Sequence, residues 1–298
     1  PARAMRVVGI TGTNGKTTTS YLVRAILRHA GHRVGLIGTI QAMIEDEVLP
    51  TSNTTPDIIV LQQMLAEMRT RGMDTVVMEV SSHALALGRV AGIEFDTAVF
   101  TNLTQDHLDF HKTMENYARA KAHLFELVSA PGAKEGKTAV LNADDAASET
   151  MRAYTRCPII TYGVDHPADL TAQDVQLACD GMELTLMHGG KRLFHLHTGI
   201  TGLFNVHNVL AAVGASLAEH VEAADISAAL TAFTGVPGRF ELVREGQDFA
   251  VIVDYAHTPD GMENVLRTAR AVTKGHIIAV FGCGGDRDRT KRPIMGRI

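Results

Sequence analysis

Short apolar runs alternate along this chain with stretches of helical periodicity. Runs at 6–10, 33–37, 74–80, 96–101, 138–142 and 158–162 have the length of strands. Between several of them apolar positions recur at helical spacing, near 16–30, 57–71, 113–129 and 143–153. Strand, helix and strand in succession predict a mostly parallel sheet with helices on its faces. Residues 169–198 change character. Glu183-Leu184-Thr185-Leu186 and Arg192-Leu193-Phe194-His195-Leu196 alternate with period two and predict a small antiparallel β appendage. Helices at 205–219 and 223–233 follow. Gly235-Val236-Pro237-Gly238 then reads as a turn and linker. Strand 249–254, helix 260–272 and strand 276–281 form one further βαβ unit. The expected fold is α/β: a P-loop-type sheet flanked by helices, then the start of a Rossmann-like α/β domain. The expected boundaries are 1–236 and 237–298.

A length of 298 residues agrees with about two domains. Apolar residues at 45% and charged residues at 20% are ordinary for a globular protein, so composition adds nothing to the fold. Net charge −5 offers no basic face to nucleic acid, and no apolar run reaches the roughly 18 residues of a membrane span. Residues 1–6 lack the apolar stretch of a signal peptide. Cys157, Cys179 and Cys283 are scattered and odd in number, which suits a reduced cytoplasm. The chain starts almost on a strand and stops on Met295-Gly296-Arg297-Ile298, which reads as a helix beginning. A piece of a longer protein is expected.

Chemistry concentrates after the first strand. Gly12-Thr13-Asn14-Gly15-Lys16-Thr17-Thr18-Thr19 leads into a helix. A strand, a glycine-rich loop, Lys-Thr and a helix form a phosphate cradle: backbone N–H groups and the helix N-terminus favour an anion. Lys16 would reach the β- and γ-phosphates and Thr17 would place its hydroxyl on Mg²⁺. The commonest form of this loop has glycine where Ile10 stands, so the loop is a variant, with Gly12 two residues later.

Glu79 ends the strand 74–80, at the strand end where open α/β sheets bind ligands. Its carboxylate suits a hard Mg²⁺ ion. His107, in Asn102-Leu103-Thr104-Gln105-Asp106-His107-Leu108-Asp109, is an unusual Mg²⁺ ligand, and its residue type alone favours a local hydrogen bond instead. Lys121 falls on the apolar stripe of helix 113–129, between Tyr117 and Leu124. The pattern alone favours a snorkelling lysine. The other reading is a desolvated, readily deprotonated amine that reacts with CO₂ to form a carbamate.

Together these segments resemble the Mur ligase family, most closely its MurE branch. The likeness rests on the loop 12–17, on Thr51-Ser52-Asn53-Thr54-Thr55-Pro56-Asp57 and on Glu79-Val80-Ser81-Ser82-His83-Ala84-Leu85. It continues through 102–109, Phe204-Asn205-Val206-His207-Asn208 and Val236-Pro237-Gly238-Arg239-Phe240-Glu241. It ends with Asp254-Tyr255-Ala256-His257-Thr258-Pro259-Asp260 and Phe281-Gly282-Cys283-Gly284-Gly285-Asp286-Arg287-Asp288. The resemblance implies the central ATP-binding domain plus the beginning of the C-terminal domain of a three-domain enzyme. It implies that Gly12, Thr13, Asn14, Gly15, Lys16, Thr17, Thr18, Asn205, Arg239 and Asp254 bind ATP. Thr17 would bind one Mg²⁺, Glu79 and His107 a second, and Lys121 would be carbamylated; Lys16, Lys121 and His107 are the implied catalytic set. Thr54, Thr55, Ser81 and Arg89 would hold the nucleotide-peptide substrate. The implied reaction joins an amino acid, meso-diaminopimelate or lysine, to UDP-MurNAc-L-Ala-D-Glu through an acyl phosphate. The implied protein is a cytoplasmic monomer. Three other readings stay open. One is another Mur-type ligase, among them MurC, MurD, MurF, cyanophycin synthetase and folylpolyglutamate synthase. Another is a module that binds ATP without catalysis, and the third a P-loop NTPase of motor or signalling type.

Overall fold

The computed structural model describes residues 1–51, 53–283 and 289–298. Ser52 and Gly284, Gly285, Asp286, Arg287 and Asp288, all in the motifs above, lie outside the described residues.

Eleven strands form one sheet among the described residues, and its middle is parallel. The central strand β1 (Arg6–Thr11) lies between β5 (Thr75–Glu79) and β6 (Thr97–Phe100), both parallel to it. Outward from β5 comes β2 (Val34–Ile37). Outward from β6 come β7 (Thr138–Asn142) and β8 (Ile159–Gly163). Residues of β1 point alternately to the two faces. Val7 enters one apolar cluster, and Val8 and Ile10 enter the other. Both faces are therefore covered, as a parallel sheet requires.

Helix α1 (Lys16–His29) packs with α7 (Leu203–Ala218) and α8 (Ala223–Thr231) on one face. On the other lie α2 (Ile58–Thr70), whose buried Leu61, Met64, Leu65 and Met68 follow the helical period, and α5 (Met114–Ser129). Thr113 caps α5, its hydroxyl accepting from Asn116 N. Helix α6 (Ser148–Tyr154) starts five residues later than the expected 143. Asp145 accounts for the delay. Its carboxylate accepts from Ala147 N and Leu103 N, which holds 143–147 as a turn.

The antiparallel appendage exists, and it continues the main sheet. β9 (Leu170–Ala178) joins β8 in parallel, and β10 (Gly181–His188) and β11 (Lys191–Thr198) follow antiparallel. At the opposite edge a hairpin that periodicity did not predict extends the sheet. It consists of β3 (Ala42–Ile44) and β4 (Glu47–Leu49). Three-residue strands are too short to show an alternation. The short helices α3 (Ser82–Ala86) and α4 (Leu108–His111) also escaped prediction.

After Gly238 one expected strand is not formed. β12 (Glu241–Val243) and β13 (Val251–Val253) form an antiparallel pair, and α9 (Pro259–Val272) follows. The expected strand 276–281 has no ladder partner and is not a strand. Ile278 and Val280 are 88% and 95% exposed. Of the expected βαβ unit, the first strand and the helix are present among the described residues and the second strand is not. A parallel strand needs a neighbour and a covered face, and the described residues supply neither here. A final helix, α10 (Lys291–Arg297), contains the end that the sequence marks as helical.

Candidate functional site

Strands β1, β5 and β6 stop at the same edge of the sheet, and their following loops build one wall of a cleft of about 580 Å³. The loop after β1 is tightly fixed. Thr13 N donates to Asn102 O and Asn14 N to Asn102 Oδ1. Gly15 has φ 83°, a left-handed conformation that costs glycine nothing. A Cβ there would collide with Asn208 Oδ1, and one on Gly12 with Thr101 Oγ1. No side chain caps α1, so its first-turn amides are available to an anion.

Two lysines, Lys121 buried and Lys16 half-buried, meet on one oxygen. Lys16 Nζ donates to Gly12 O at 3.0 Å and to Thr13 O at 2.8 Å. Lys121 Nζ donates to the same Gly12 O at 2.8 Å and sits 4.2 Å from the centre of the Tyr117 ring. Lys121 is 1% exposed, so it does not snorkel. Burial pushes its ammonium well below the usual lysine range, and the charge of Lys16 pushes the same way. Burial lowers Lys16 as well, partly offset by Glu79.

Glu79 is fully buried at the end of β5. It accepts from Thr17 Oγ1 at 3.1 Å, from Thr39 N at 2.8 Å and from Thr39 Oγ1 at 2.8 Å. Thr18 is buried in the first turn of α1 and lines the cleft with Thr17. His107 has φ 54° and lies 3.4 Å from Asp106. Its ring packs against those of His83 and Tyr117. Burial, opposed by Asp106, lowers it to about 4, so it is neutral at pH 7 and its ring can serve as a ligand.

A second group lies beside Glu79. Thr54 hydrogen-bonds Thr39, and Thr55 donates to Glu79 O and accepts from Ser81 N. Ser81 caps α3 through Ala84 N. Arg89 donates to Thr55 O and pairs with Asp57 at 2.9 Å. Thr54 and Ser81 line the cleft; Thr55 and Arg89 stand behind them.

The opposite wall comes from residues after 236. Arg239 Nη2 donates to Thr17 Oγ1 at 3.1 Å, its guanidinium lies 4.8 Å from the Tyr255 ring, and its Nε is buried without a partner. Asp254 accepts from Phe240 N and Ala256 N, yet burial raises its carboxyl above the usual range. His257 Nδ1 faces Tyr255 O.

At the far end, Asn205 is buried beneath the cleft. Its amide donates to Thr201 O and accepts from Asn208 Nδ2, so in this structure it positions Asn208, which lines the cleft.

Two residues of this site escaped sequence reasoning. Asp144 accepts from the N–H groups of Val164 and His166 and faces the rings of His166 and His207. Burial works to raise it, but those contacts win and hold it at about 2. Asp260, in the first turn of α9, accepts from Asn14 Nδ2 at 2.7 Å across the cleft. The motif residues His207 and Asp260 were the available signals. Their partners, 63 and 246 positions away, carry no local pattern.

Among the described residues no cluster of three His, Cys, Asp or Glu side chains could hold a metal by itself. The site gathers a phosphate loop, a buried acid at a strand end, two lysines on one carbonyl and a second wall that brings Arg239 to Thr17. Comparisons with known proteins place the chain as a whole. The Mur ligase middle domain matches residues 10–216, and the Mur ligase glutamate ligase domain matches 238–298. The chain is 50% identical over 299 residues to UDP-N-acetylmuramoyl-L-alanyl-D-glutamate--2,6-diaminopimelate ligase of Bacillus cereus, and 49% identical over 301 residues to the enzyme of that name from Listeria monocytogenes. Both alignments cover all of this chain and 61% of the relative, so the chain spans about three fifths of the relatives' length. A solved structure of a ligase with that name superposes with TM-score 0.78 at 34% identity, covering 98% of this chain and 59% of the other. MurF from Acinetobacter baumannii, at 20% identity and TM-score 0.72, covers 90% of this chain and 55% of its own, and shares the fold. The phosphate loop, the acid, the two lysines and the second wall thus stand on a fold and a sequence that both lead to one conclusion: this chain belongs to the Mur ligase family.

Proposed function

We propose that this chain is the catalytic core of an ATP-dependent amide ligase that adds 2,6-diaminopimelate to UDP-MurNAc-L-Ala-D-Glu. The observation that carries the reading is the pair of lysines, Lys16 and buried Lys121, on Gly12 O, beside Glu79 and facing Arg239. The printed names of the relatives supply the substrate and the amino acid. Residues 1–236 act as the central domain and 237–298 as the opening of the C-terminal one.

ATP lies along the cleft, its phosphates on the loop 12–18 and its base toward Asn208, which Asn205 positions. Lys16 reaches the transferred phosphoryl group, and Arg239 closes on it from the second wall, where its buried Nε lacks a partner. Asp254 holds the loop 238–240 in place and faces the ribose. Thr54 and Ser81 receive the nucleotide-peptide, with Thr55 and Arg89 fixing them from behind.

The terminal carboxylate attacks the γ-phosphorus, ADP leaves and an acyl phosphate forms. The amine then attacks the acyl carbon and phosphate leaves with the bonding pair. Lys16, Arg239 and the loop amides stabilise the charge on the phosphoryl oxygens. The hydroxyl of Thr17 would hold one Mg²⁺ with the phosphates, and the carboxylate of Glu79 with neutral His107 would hold a second. Bound there, Mg²⁺ would neutralise phosphate charge.

Lys121 takes CO₂ on its neutral amine. The nitrogen gives up one proton to solvent as the N–C bond forms, and the carbamate keeps one N–H, so the contact with Gly12 O survives while the neutral side chain becomes an anion. In the sequence, His107 and Lys121 looked bland. Burial removes the solvent that a snorkelling lysine needs.

The test uses the enzyme at the length of its relatives, with Mg-ATP and UDP-MurNAc-L-Ala-D-Glu. Diaminopimelate, lysine or no amino acid is added in turn. An amide product detected by mass with diaminopimelate, and with neither alternative, supports the reading. No dependence on the nucleotide dipeptide overturns it.

A further inference from the structure

Helix α9 joins the second wall to the first. It has 14 residues, a length of about 21 Å, and meets the first wall at its start, along its length and at its end. At its start Asp260 accepts from Asn14 Nδ2 at 2.7 Å, and Thr104 and Asn264 hydrogen-bond the same carboxylate. Further along, Thr268 is buried over Gly202, where an added Cβ would lie 2.8 Å from Thr268 Cγ2. At its end the carbonyl of Val272 faces Cys179 Sγ at 3.0 Å, in the turn between β9 and β10. Shape sets the Thr268 contact, and a thiol is a weak donor. The Asp260 contact is the charged and directional one.

The partner of Asp260 is fixed from several sides. Asn14 N donates to Asn102 Oδ1 at 2.9 Å, and Asn14 O accepts from Thr101 Oγ1 at 2.6 Å. Asn14 Nδ2 also donates to Thr104 Oγ1 at 3.3 Å. Asn14, Thr104 and Asp260 thus close a ring of hydrogen bonds that joins the phosphate loop, the loop after β6 and α9. Thr258 caps α9 through Gly261 N and Pro259 occupies its first turn, so the helix start that carries Asp260 is rigid.

Two contacts across the cleft bracket Lys16: Asp260 on Asn14 and Arg239 on Thr17. Thr17 has one hydroxyl, which donates to Glu79 and accepts from Arg239. A metal or phosphate at Thr17 competes for that hydroxyl, so Arg239 must change partner during the reaction. The Asn14 amide is committed to Asp260 and Thr104, outside the cradle of backbone amides, so its contact persists. Arg239 is tied to the same helix start. Its guanidinium lies 4.8 Å from the Tyr255 ring, and the neighbouring Phe240 N donates to Asp254. Both partners stand in the short segment that leads from β13 into α9.

We propose that Asp260 is a positioning residue: through Asn14 it pins the start of α9 to the phosphate loop and so keeps Arg239 in reach of the transferred phosphoryl group while Arg239 changes partner. The proposal rests on the ligase reading above.

The test measures turnover and ATP binding separately in the enzyme at the length of its relatives. Phosphate release with the nucleotide dipeptide and diaminopimelate gives kcat, and calorimetry with Mg-ATP gives the dissociation constant. D260A should lower kcat about tenfold to a hundredfold, the loss of one charged contact, and leave the ATP dissociation constant within about threefold. D260N, whose amide oxygen still accepts from Asn14, should recover most of the turnover lost in D260A. N14A removes the same contact from the loop side and should reproduce the D260A defect, so the test stands if one variant fails to fold. Because Asp260 acts through Arg239, the double variant D260A/R239M should lie within about threefold of R239M alone. Effects that multiply in the double variant would overturn the proposal. A loss of ATP binding that matches the loss of kcat would also overturn it, since Asp260 would then serve the phosphate loop itself. So would a D260N as slow as D260A, which would make the charge and not the contact with Asn14 the working part. Wild-type turnover tests the ligase reading separately. If the wild type releases no phosphate in response to the dipeptide, that reading falls, and with it the step for which Arg239 is placed.

Discussion

The two walls of the cleft are built in different ways. The first stands on β1, β5 and β6, whose apolar residues are buried, Val8, Ile10, Val77 and Val99 among them. The second hangs on the pair β12 and β13, where Val251 and Val253 are 37% and 46% exposed. Both carry charged groups that meet at Thr17, which donates to Glu79 and accepts from Arg239. The difference teaches that similar apolar runs become strands only where neighbours cover them. The segment 276–281 is as apolar as β1 and pairs with no strand among the described residues. The first wall can fix a side chain in place, whereas the second owes its position to contacts across the cleft.

The sharpest way to break this contrast is Lys16→Met. The rigid wall should carry most of the charge stabilisation, so kcat/KM should fall by about 10²–10³. A fall no larger than that of Arg239→Met would put the two walls on an equal footing.

Lys121→Met separates chemistry from stability within the first wall. Turnover should fall by a factor on the order of 10² if the buried amine acts in the reaction. The melting temperature should hold or rise, because methionine fills the space without desolvating a charge. A clear drop in melting temperature with turnover kept would make Lys121 structural.

Packing gives a smaller and more direct measure. Leu36→Ala, in a buried strand, should cost ~2–5 kcal/mol, whereas Val280→Ala should stay within ~0.5 kcal/mol, both read from denaturant unfolding. Equal costs would contradict the exposure of 276–281.

The smallest expected effect is a pH slope. His107 and His111 titrate near 4 in the folded chain against an ordinary 6.5, chiefly because burial disfavours their charge. Between those values the unfolded chain binds more protons, so stability falls as pH drops from 6.5 to 4. His111→Gln should flatten the slope in a urea midpoint series. An unchanged slope would show that His111 contributes nothing to it.

Much of the first wall was legible in the sequence, because its signals are local. Strand, loop, lysine and helix lie in one run of residues, and Glu79 ends an apolar strand. The stripe carrying Tyr117, Lys121 and Leu124 put the lysine on the buried face of α5, though spacing alone could not separate burial from snorkelling. The meeting of Lys16 and Lys121 on Gly12 O was illegible, since the two are 105 positions apart and only the pairing of β1 with β6 and the packing of α5 join them. Asp260 was hidden for the same reason. The second wall was misread where a local pattern promised a strand, because pairing depends on partners that spacing does not reveal.

The account's central claim is that this cleft drives an acyl phosphate rather than simple nucleotide hydrolysis. The direct test supplies the nucleotide dipeptide with ¹⁸O in its terminal carboxylate, together with Mg-ATP and diaminopimelate, to the enzyme at the length of its relatives. The released phosphate is then weighed by mass spectrometry. Transfer of one ¹⁸O into each phosphate is predicted, since the carboxylate oxygen leaves with the phosphoryl group. Unlabelled phosphate would mean that water, and not the carboxylate, attacks ATP, and would contradict the account.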